Sequence, residues 1–319
     1  MNILITGAYG FVGTNISAYL FNKGYALTAL DQIQNRNIVS YTDFFSWDKF
    51  DQINFDHFDV IIHLAGKAHD TKNSSDAKVY FDVNTKLTQK VFDKFSLSKT
   101  KQFIFFSSVK AAADSVKENA LTEDVIPHPI GPYGESKIAA EEYILQKVSE
   151  DSFPGNKKVY ILRPCMIHGP ANKGNLNLLF NIVSKGIPWP LGSFDNKRSF
   201  MNVWNLSFII EQLLIKNPET GIYHLADDES ISTNRLIQLI SESQGKKAHI
   251  LKWNKPLITG IAQLGGYFRM PLNPDRLRKL TETYIVSNQK IKQALGIERL
   301  PVHAEDGLRK TLESFSKKK

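Results

Sequence analysis

The chain opens on an apolar, β-branched run, NILIT, which gives way to GAYGFVG and then to TNISAYLFNKG. The first run shows no polar alternation, as expected of a strand buried on both faces of a parallel sheet. In the third, Ile16, Tyr19 and Leu20 share one helical face, and Gly24 supplies a C-terminal stop. The rhythm repeats: ALTALD (26–31), DVIIHLAG (59–66), KQFIFFSS (101–108), KVYILRP (158–164) and GIYHLAD (221–227) read as further buried strands. Helical segments lie between them, such as AKVYFDVNTKLTQKVFDKFS and KIAAEEYILQKVSE. Strands alternating with helices predict an α/β fold with a doubly wound parallel sheet. Ligands of such sheets gather at the carboxyl ends of the strands, where Gly66, Ser108 and Arg163-Pro164 fall.

The turn after the first strand has the chemistry of a dinucleotide site. Gly7 permits a tight turn, Gly10 lets the backbone approach a pyrophosphate, and Gly13 lets the helix pack against the strand. The spacing is G-x-x-G-x-x-G, and the free N–H groups of the helix start face the phosphates. Asp31, at the end of the second strand, can bind both ribose hydroxyls and repel a 2′-phosphate, which favours NAD over NADP. The Rossmann half of the molecule is placed at 1–170, with 205–227 returning to it. A smaller substrate-binding lobe takes 171–204 and 228–319.

GPYGESK (131–137) sets Tyr133 and Lys137 one helical turn apart. A free phenol, with a pKa of about 10, is a poor base at neutral pH. A neighbouring ammonium lowers that value, and the pair becomes a usable general acid/base for a hydroxyl or carbonyl. Ser108, closing the FIFFSS strand, can donate to the same substrate oxygen. Y-x-x-x-K alone would read as an ordinary surface pair; after a dinucleotide turn and a strand ending in Ser-Ser it reads as a catalytic site.

Composition adds limits. Hydrophobic residues make up 42% and charged residues 23%, enough apolar material for a sizeable core. A single cysteine, Cys165, allows no internal disulfide and fits a reducing compartment. The start has no basic region followed by a long apolar stretch, and no apolar run is long enough to span a bilayer. A soluble, cytoplasmic protein is expected. The net charge of +8 suits a polyanionic small molecule as well as it suits nucleic acid. No basic stripe with interleaved aromatics is present, so no nucleic-acid partner is expected, and no metal site is expected either. KPLITGIAQLGGYFRM (255–270) is apolar with cationic ends. It reads as a helix packed in the small lobe, or as a surface that touches a membrane or a partner protein.

TGAYGFVG, Asp31, HLAG (63–66), SSV (107–109), YGESK and ILRP together resemble the extended short-chain dehydrogenase/reductases, in particular the nucleotide-sugar epimerases and reductases of surface-polysaccharide synthesis. The resemblance covers nearly the whole chain. It implies NAD contacts at Gly7, Gly10, Phe11, Val12, Gly13, Asp31, Ser107 and Pro164, and an adenine-side pair at Asp43-Phe44. It places Leu64, Ala65 and Gly66 along the cofactor cleft, with Asn84 on the helix that follows. Ser108, Tyr133 and Lys137 match the catalytic trio. In the segment 172–206, Asn175 and Arg198 match the residues that meet a UDP diphosphate. A second Arg is expected shortly before YIVSNQKIKQALG, and Arg276 and Arg278 both qualify. The family often dimerises through the Tyr–Lys helix, so a homodimer is implied. His168 replaces a Tyr usual in relatives; it reads as structural, with a substrate contact as the alternative.

The resemblance implies a UDP-sugar 4-epimerase of the UDP-glucose or UDP-N-acetylglucosamine type, working through a 4-keto intermediate. The alternative is a reductase of a UDP-4-keto-6-deoxy-hexose that uses the same trio. Dehydratases carry Asp-Glu after the catalytic hydroxyl residue; here the positions are Val109 and Lys110, which argues against elimination. A non-catalytic dinucleotide sensor typically lacks the Tyr–Lys pair.

Overall fold

The structure is a computed structural model that describes residues 1–67, 76–116, 118–172, 174–267 and 273–316. Residues 68–70 of the HLAGKAHD motif, 268–270 of the long apolar segment and the last three lysines lie outside the described residues.

The first half alternates strand and helix: β1 (Asn2–Thr6), α1 (Phe11–Asn22), β2 (Ala26–Asp31), β3 (Asp43–Ser46) and β4 (Val60–His63). A composite helix follows as α2 (Ala77–Tyr80), a π-helical turn (Phe81–Lys86) and α3 (Leu87–Leu97). Then come β5 (Gln102–Phe106), the single turn α4 (Val109–Ala112), α5 (Pro132–Val148) and β6 (Lys158–Pro164). The second half holds β7 (Met166–His168), α6 (Asn175–Ser184), β8 (Lys197–Arg198), β9 (Phe200–Asn202) and α7 (Val203–Lys216). It continues with β10 (Gly221–Leu225), β11 (Ile231–Ser232) and α8 (Thr233–Glu242). It ends with α9 (Lys255–Tyr267), α10 (Pro274–Thr281), α11 (Gln289–Leu295) and α12 (Ala304–Ser316).

Seven strands form one sheet in the order β10-β6-β5-β4-β1-β2-β3. Every pairing in it is parallel. The order runs outward from β1 in both directions, so the chain reverses beside β1 and opens a crevice at the carboxyl ends of β1 and β4. The strands read from apolar runs all appear. β3 does not stand out in the sequence, because only four residues pair and the first of them is exposed.

Two cores cover the sheet faces. One gathers Ile3, Ile5, Ile16 and Leu20 with Leu206, Ile209 and Leu213 of α7. The other gathers Leu4, Ile61, Phe92, Phe95, Phe103 and Ile144. A separate cluster, with Leu176, Phe180, Ile237, Ile258 and Leu308 among its members, forms the core of the second lobe. β10 pairs with β6 at the sheet edge. Tyr284, Val286, Ile291, Leu295 and Leu300 also pack in the first core, so 284–300 returns to the sheet although the sequence reading left it in the small lobe.

Two buried imidazoles tie the sheet to pH. His63 ends β4 between two hydroxyls, with Nδ1 2.7 Å from Thr6 Oγ1 and Nε2 2.9 Å from Thr88 Oγ1. The Thr88 hydroxyl donates to Asn84 O, so His63 Nε2–H donates to Thr88 and Nδ1 accepts from Thr6, the pattern of a neutral ring. Burial, then the nearby Lys137 ammonium, pushes its pKa down to about 3. Burial, then Arg163, takes His224 of β10 down to about 4. In the unfolded chain both titrate near 6.5. The unfolded state therefore takes up protons first as pH falls. The stabilisation is fully present above about pH 6.5 and is lost progressively toward 4 and 3. Each His is expected to cost about 2 kcal/mol of stability at pH 5 relative to pH 7. Thermal melts at the two pH values check this, and in His63→Gln the fall should shrink. An unchanged fall would remove His63 from the account.

Candidate active site

The glycine turn is built by steric exclusion. Gly7 has φ +64°, and a Cβ there would lie 2.8 Å from Ala65 N. A Cβ on Gly13 would lie 2.5 Å from Ala8 O. These contacts bring the start of α1 down onto the ends of β1 and β4. Phe11, Val12 and Gly13 open α1 behind the N-cap Gly10. The N–H groups of such a first turn have no helical partner and attract anions. Tyr41 ties the turn from outside, its hydroxyl reaching Ala8 O at 2.9 Å and Gly13 O at 3.2 Å. At the end of β2, Asp31 accepts from Tyr9 N at 2.9 Å and Gln32 N at 2.8 Å. A cradle that excludes a Cβ, open helix N–H groups and a carboxylate at the neighbouring strand end fit an adenine dinucleotide.

The proposed adenine-side pair sits differently from the sequence expectation. Asp43 starts β3, exposed, opposite Thr28. The β3 residue that pairs with Asp31 is Ser46. Phe44 does approach the turn, its ring centroid 6.0 Å from that of Tyr9.

Across the crevice, the ends of β4 and β5 meet α5. Pro132 at the first helical position and Gly131 at φ +85° launch α5, so Tyr133 and Lys137 sit in its first two turns. The Ser108 hydroxyl caps α4 by accepting from Lys110 N at 3.2 Å and lies near enough to the Tyr133 phenol to draw its pKa down. The Lys137 ammonium donates to Phe106 O at 2.8 Å, and lies 3.2 Å from where a Cβ on Gly66 would stand. A Cβ at position 66 would crowd that ammonium and, at 3.0 Å, the Asn84 side-chain oxygen. Burial lowers the pKa of Lys137 to about 8, against the pull of Glu141. Burial raises the Tyr133 phenol, Ser108 draws it down, and Tyr80 raises it. The sequence predicts a lowered phenol; the cost of burying a phenolate prevails instead, and the Lys137 ammonium is turned to the β5 carbonyl.

Tyr80 and Glu141, which sequence patterns did not bring forward, complete the wall together with Asn84. Tyr80 packs edge-on against Tyr133, ring centroids 6.3 Å apart, and Lys67 Nζ lies 5.6 Å from the Tyr80 ring. Glu141, one turn past Lys137, is fully buried and accepts from Arg163 Nε at 3.0 Å and from the Ser107 hydroxyl. Ser107 thus spends its hydroxyl inward. Asn84, in the π-helical turn, accepts from Lys67 N at 2.8 Å and donates to Ser136 Oγ at 3.0 Å. It stitches the end of the β4 loop, past Leu64, Ala65 and Gly66, to α5. Pro164 ends β6 opposite Leu225.

The lobe side supplies cations. Asn175 is exposed at the start of α6. Arg198 of β8 donates to Lys279 O, bringing it to the end of α10. Arg278 Nη2 donates to Asp114 Oδ2 at 3.2 Å, directly past α4. Burial opposes ionisation of Asp114, but Lys110 and Arg278 prevail and hold its pKa below the usual range. Arg276 is exposed near the start of α10. His168 is fully buried, Nδ1 2.9 Å from Thr311 Oγ1 of α12, and is packed away from solvent. No group of His, Cys, Asp and Glu among the described residues could hold a metal ion. No helix among them is long and apolar enough to cross a membrane.

This arrangement, a dinucleotide turn facing a Ser–Tyr–Lys wall, defines a nucleotide-dependent enzyme of hydroxyl and carbonyl chemistry. The model of the NAD dependent epimerase/dehydratase family matches residues 3–226, and the chain belongs to that family. Its cofactor is NAD. A UDP-glucose 4-epimerase from Vibrio cholerae is 28% identical, over 98% of this chain and 95% of its own length. The N-acetyl-alpha-D-glucosaminyl-diphospho-ditrans,octacis-undecaprenol 4-epimerase of Escherichia coli O157:H7 is 30% identical, over 92% and 85%. Among solved structures, a UDP-glucuronic acid 4-epimerase from Bacillus cereus in complex with NAD superposes over 99% of both chains, with a TM-score of 0.74 at 20% identity.

Proposed function

We propose that the protein is an NAD-dependent 4-epimerase of a diphosphate-linked hexose, of the UDP-glucose or UDP-N-acetylglucosamine type. The observation that carries this reading is that Ser108, at the end of β5, acts on the buried Tyr133 phenol, with the Lys137 ammonium held on Phe106 O close to Gly66 at the end of β4. NAD, when bound, supplies reversible hydride acceptance from C4. As the phenolate, Tyr133 Oη would take the proton of the 4-hydroxyl and return it when the 4-ketose has turned its other face. Ser108 holds the same oxygen. Lys137, still cationic at neutral pH, would favour the phenolate by turning from Phe106 O toward the phenol. Gly7, Gly10, Phe11, Val12 and Gly13 would hold the pyrophosphate and Asp31 the ribose, with Leu64, Ala65 and Gly66 along the cleft. Arg198 and Arg278, with Asn175, would meet the substrate diphosphate, a task for which a guanidinium fork is suited. Of the two α10 arginines, Arg278 is preferred because it reaches the loop beyond α4. Residues 1–170, 205–227 and 284–300 form the cofactor half on this reading.

A second reading rests on a relative that is 24% identical, a GDP-6-deoxy-D-mannose reductase. A 4-keto reductase would use the same trio but exchange its cofactor at each turnover. The test is to denature the purified protein, identify any released cofactor, and incubate the intact protein with UDP-glucose and UDP-N-acetylglucosamine without added cofactor. Retained NAD with formation of the 4-epimer is expected. No retained cofactor and no epimer would sink the epimerase in favour of the reductase.

A further inference from the structure

α9 carries two apolar stripes. Ile258 and Ala262 face inward and join Leu277 of α10 in the core of the second lobe. The other stripe faces solvent: Leu257, Ile261 and Leu264 recur at i, i+4 and i+7 and are 56%, 37% and 62% exposed. Tyr267 at the helix end is 84% exposed, and Trp253 just before its start is 44% exposed. Scattered apolar side chains on a surface need no explanation, but a continuous helical row of them does.

Along the chain, the charge on and before that helix has one sign, and the first carboxylate after it is Asp275 at the start of α10. From Ser243 to Pro274 the sequence carries no Asp or Glu, while Lys246, Lys247, Lys252 and Lys255 precede and open the helix. Lys252 and Lys255 are exposed. A row of Leu, Ile, Trp and Tyr led by lysines has the chemistry of a helix lying in the interface of an anionic bilayer. A second copy of the chain is a poorer occupant, because a two-fold contact would set this lysine-rich surface against itself.

Position supplies the purpose. α9 packs on α10. α10 carries Arg278, which bonds Asp114 beside the helical turn that Ser108 caps. The exposed row is thus one helix removed from the mouth of the cleft. We propose that α9 docks on an anionic phospholipid surface and so presents the cleft to a sugar diphosphate tethered to that surface by a lipid. This rests on the proposed epimerase only for the sugar diphosphate. The relative whose printed substrate is a sugar joined by a diphosphate to undecaprenol belongs with this chemistry.

The test is flotation of the full chain with vesicles of phosphatidylcholine, alone or with phosphatidylglycerol. The protein is expected to rise with the anionic vesicles at least tenfold more than with the neutral ones. Leu257→Ser/Leu264→Ser and Lys252→Glu/Lys255→Glu are both expected to stay in the dense fraction, with wild-type melting temperatures and wild-type turnover of a soluble UDP-sugar. With a polyprenyl-diphosphate-linked N-acetylglucosamine in the same vesicles, both variants should lose turnover about tenfold. Wild-type protein that stays dense with both vesicles overturns the docking, as do variants that float. A dimer that the leucine variant breaks, without flotation, assigns the row to a second copy. Flotation without turnover of any sugar fells the epimerase reading and leaves the docking standing. Turnover of soluble but not lipid-linked sugar overturns the tethered substrate.

Discussion

Replacing Tyr133 by Phe is expected to lower turnover by a factor of about 10²–10⁴, the usual contribution of a positioned general acid/base. The change should leave the fold nearly intact. The lost hydroxyl removes the interaction with Ser108, but the Ser108 oxygen keeps its bond from Lys110 N. A net stability loss of about 1 kcal/mol is the ordinary consequence. The phenyl ring can still pack against Tyr80. NAD retention should therefore be unchanged, and epimerisation alone should fail. Steady-state rates, melting temperature and cofactor content measured on the same preparation separate these effects. Turnover within about tenfold of wild type would mean that the proton moves through another group, and the trio would have to be reassigned.

The parts legible in the sequence are those where local chemistry has one solution. Gly7 and Gly13 stand where a Cβ would strike backbone, so no other residue type could have written that turn. The strands β1, β2, β4, β5, β6 and β10 are buried, and their apolar runs announce them. β3 is short and begins at an exposed Asp43, which is why the end of that strand, at Ser46 beside Asp31, could not be placed from composition. Glu141 and Arg163 were illegible for a different reason. One lies in a helix and one in a strand, and only the packing of α5 on the sheet brings them together. The sole local hint was a carboxylate at i+8 from Tyr133 on the helix face that also carries Lys137. Asn84 is named by the family resemblance, but its link between the β4 loop and α5 depends on a π-helical turn that no residue pattern specifies.

Glu141→Leu is expected to destabilise the fold by about 3–5 kcal/mol, because it strands the Arg163 guanidinium in the interior without a counter-charge. Arg163 is 1% exposed and Glu141 0%. The carboxylate also takes the Ser107 hydroxyl, so its removal frees a donor at the end of β5 as well. The consequence reaches the chemistry through α5. Glu141 holds the helix turn after Lys137 against β6, and its charge is what supports the Lys137 ammonium against burial. The variant should therefore lose its positive Lys137 at lower pH than wild type, moving the alkaline fall of turnover downward. Urea unfolding gives the stability term, and the pH profile gives the positioning term. The double change Glu141→Leu/Arg163→Met is expected to recover part of the stability, since an apolar pair of similar volume replaces the ion pair, but not the pH profile. If the single variant unfolds within about 1 kcal/mol of wild type, the pair is not the clamp described here. If the double variant regains both stability and profile, packing of α5 on β6 rather than charge sets the position of Lys137.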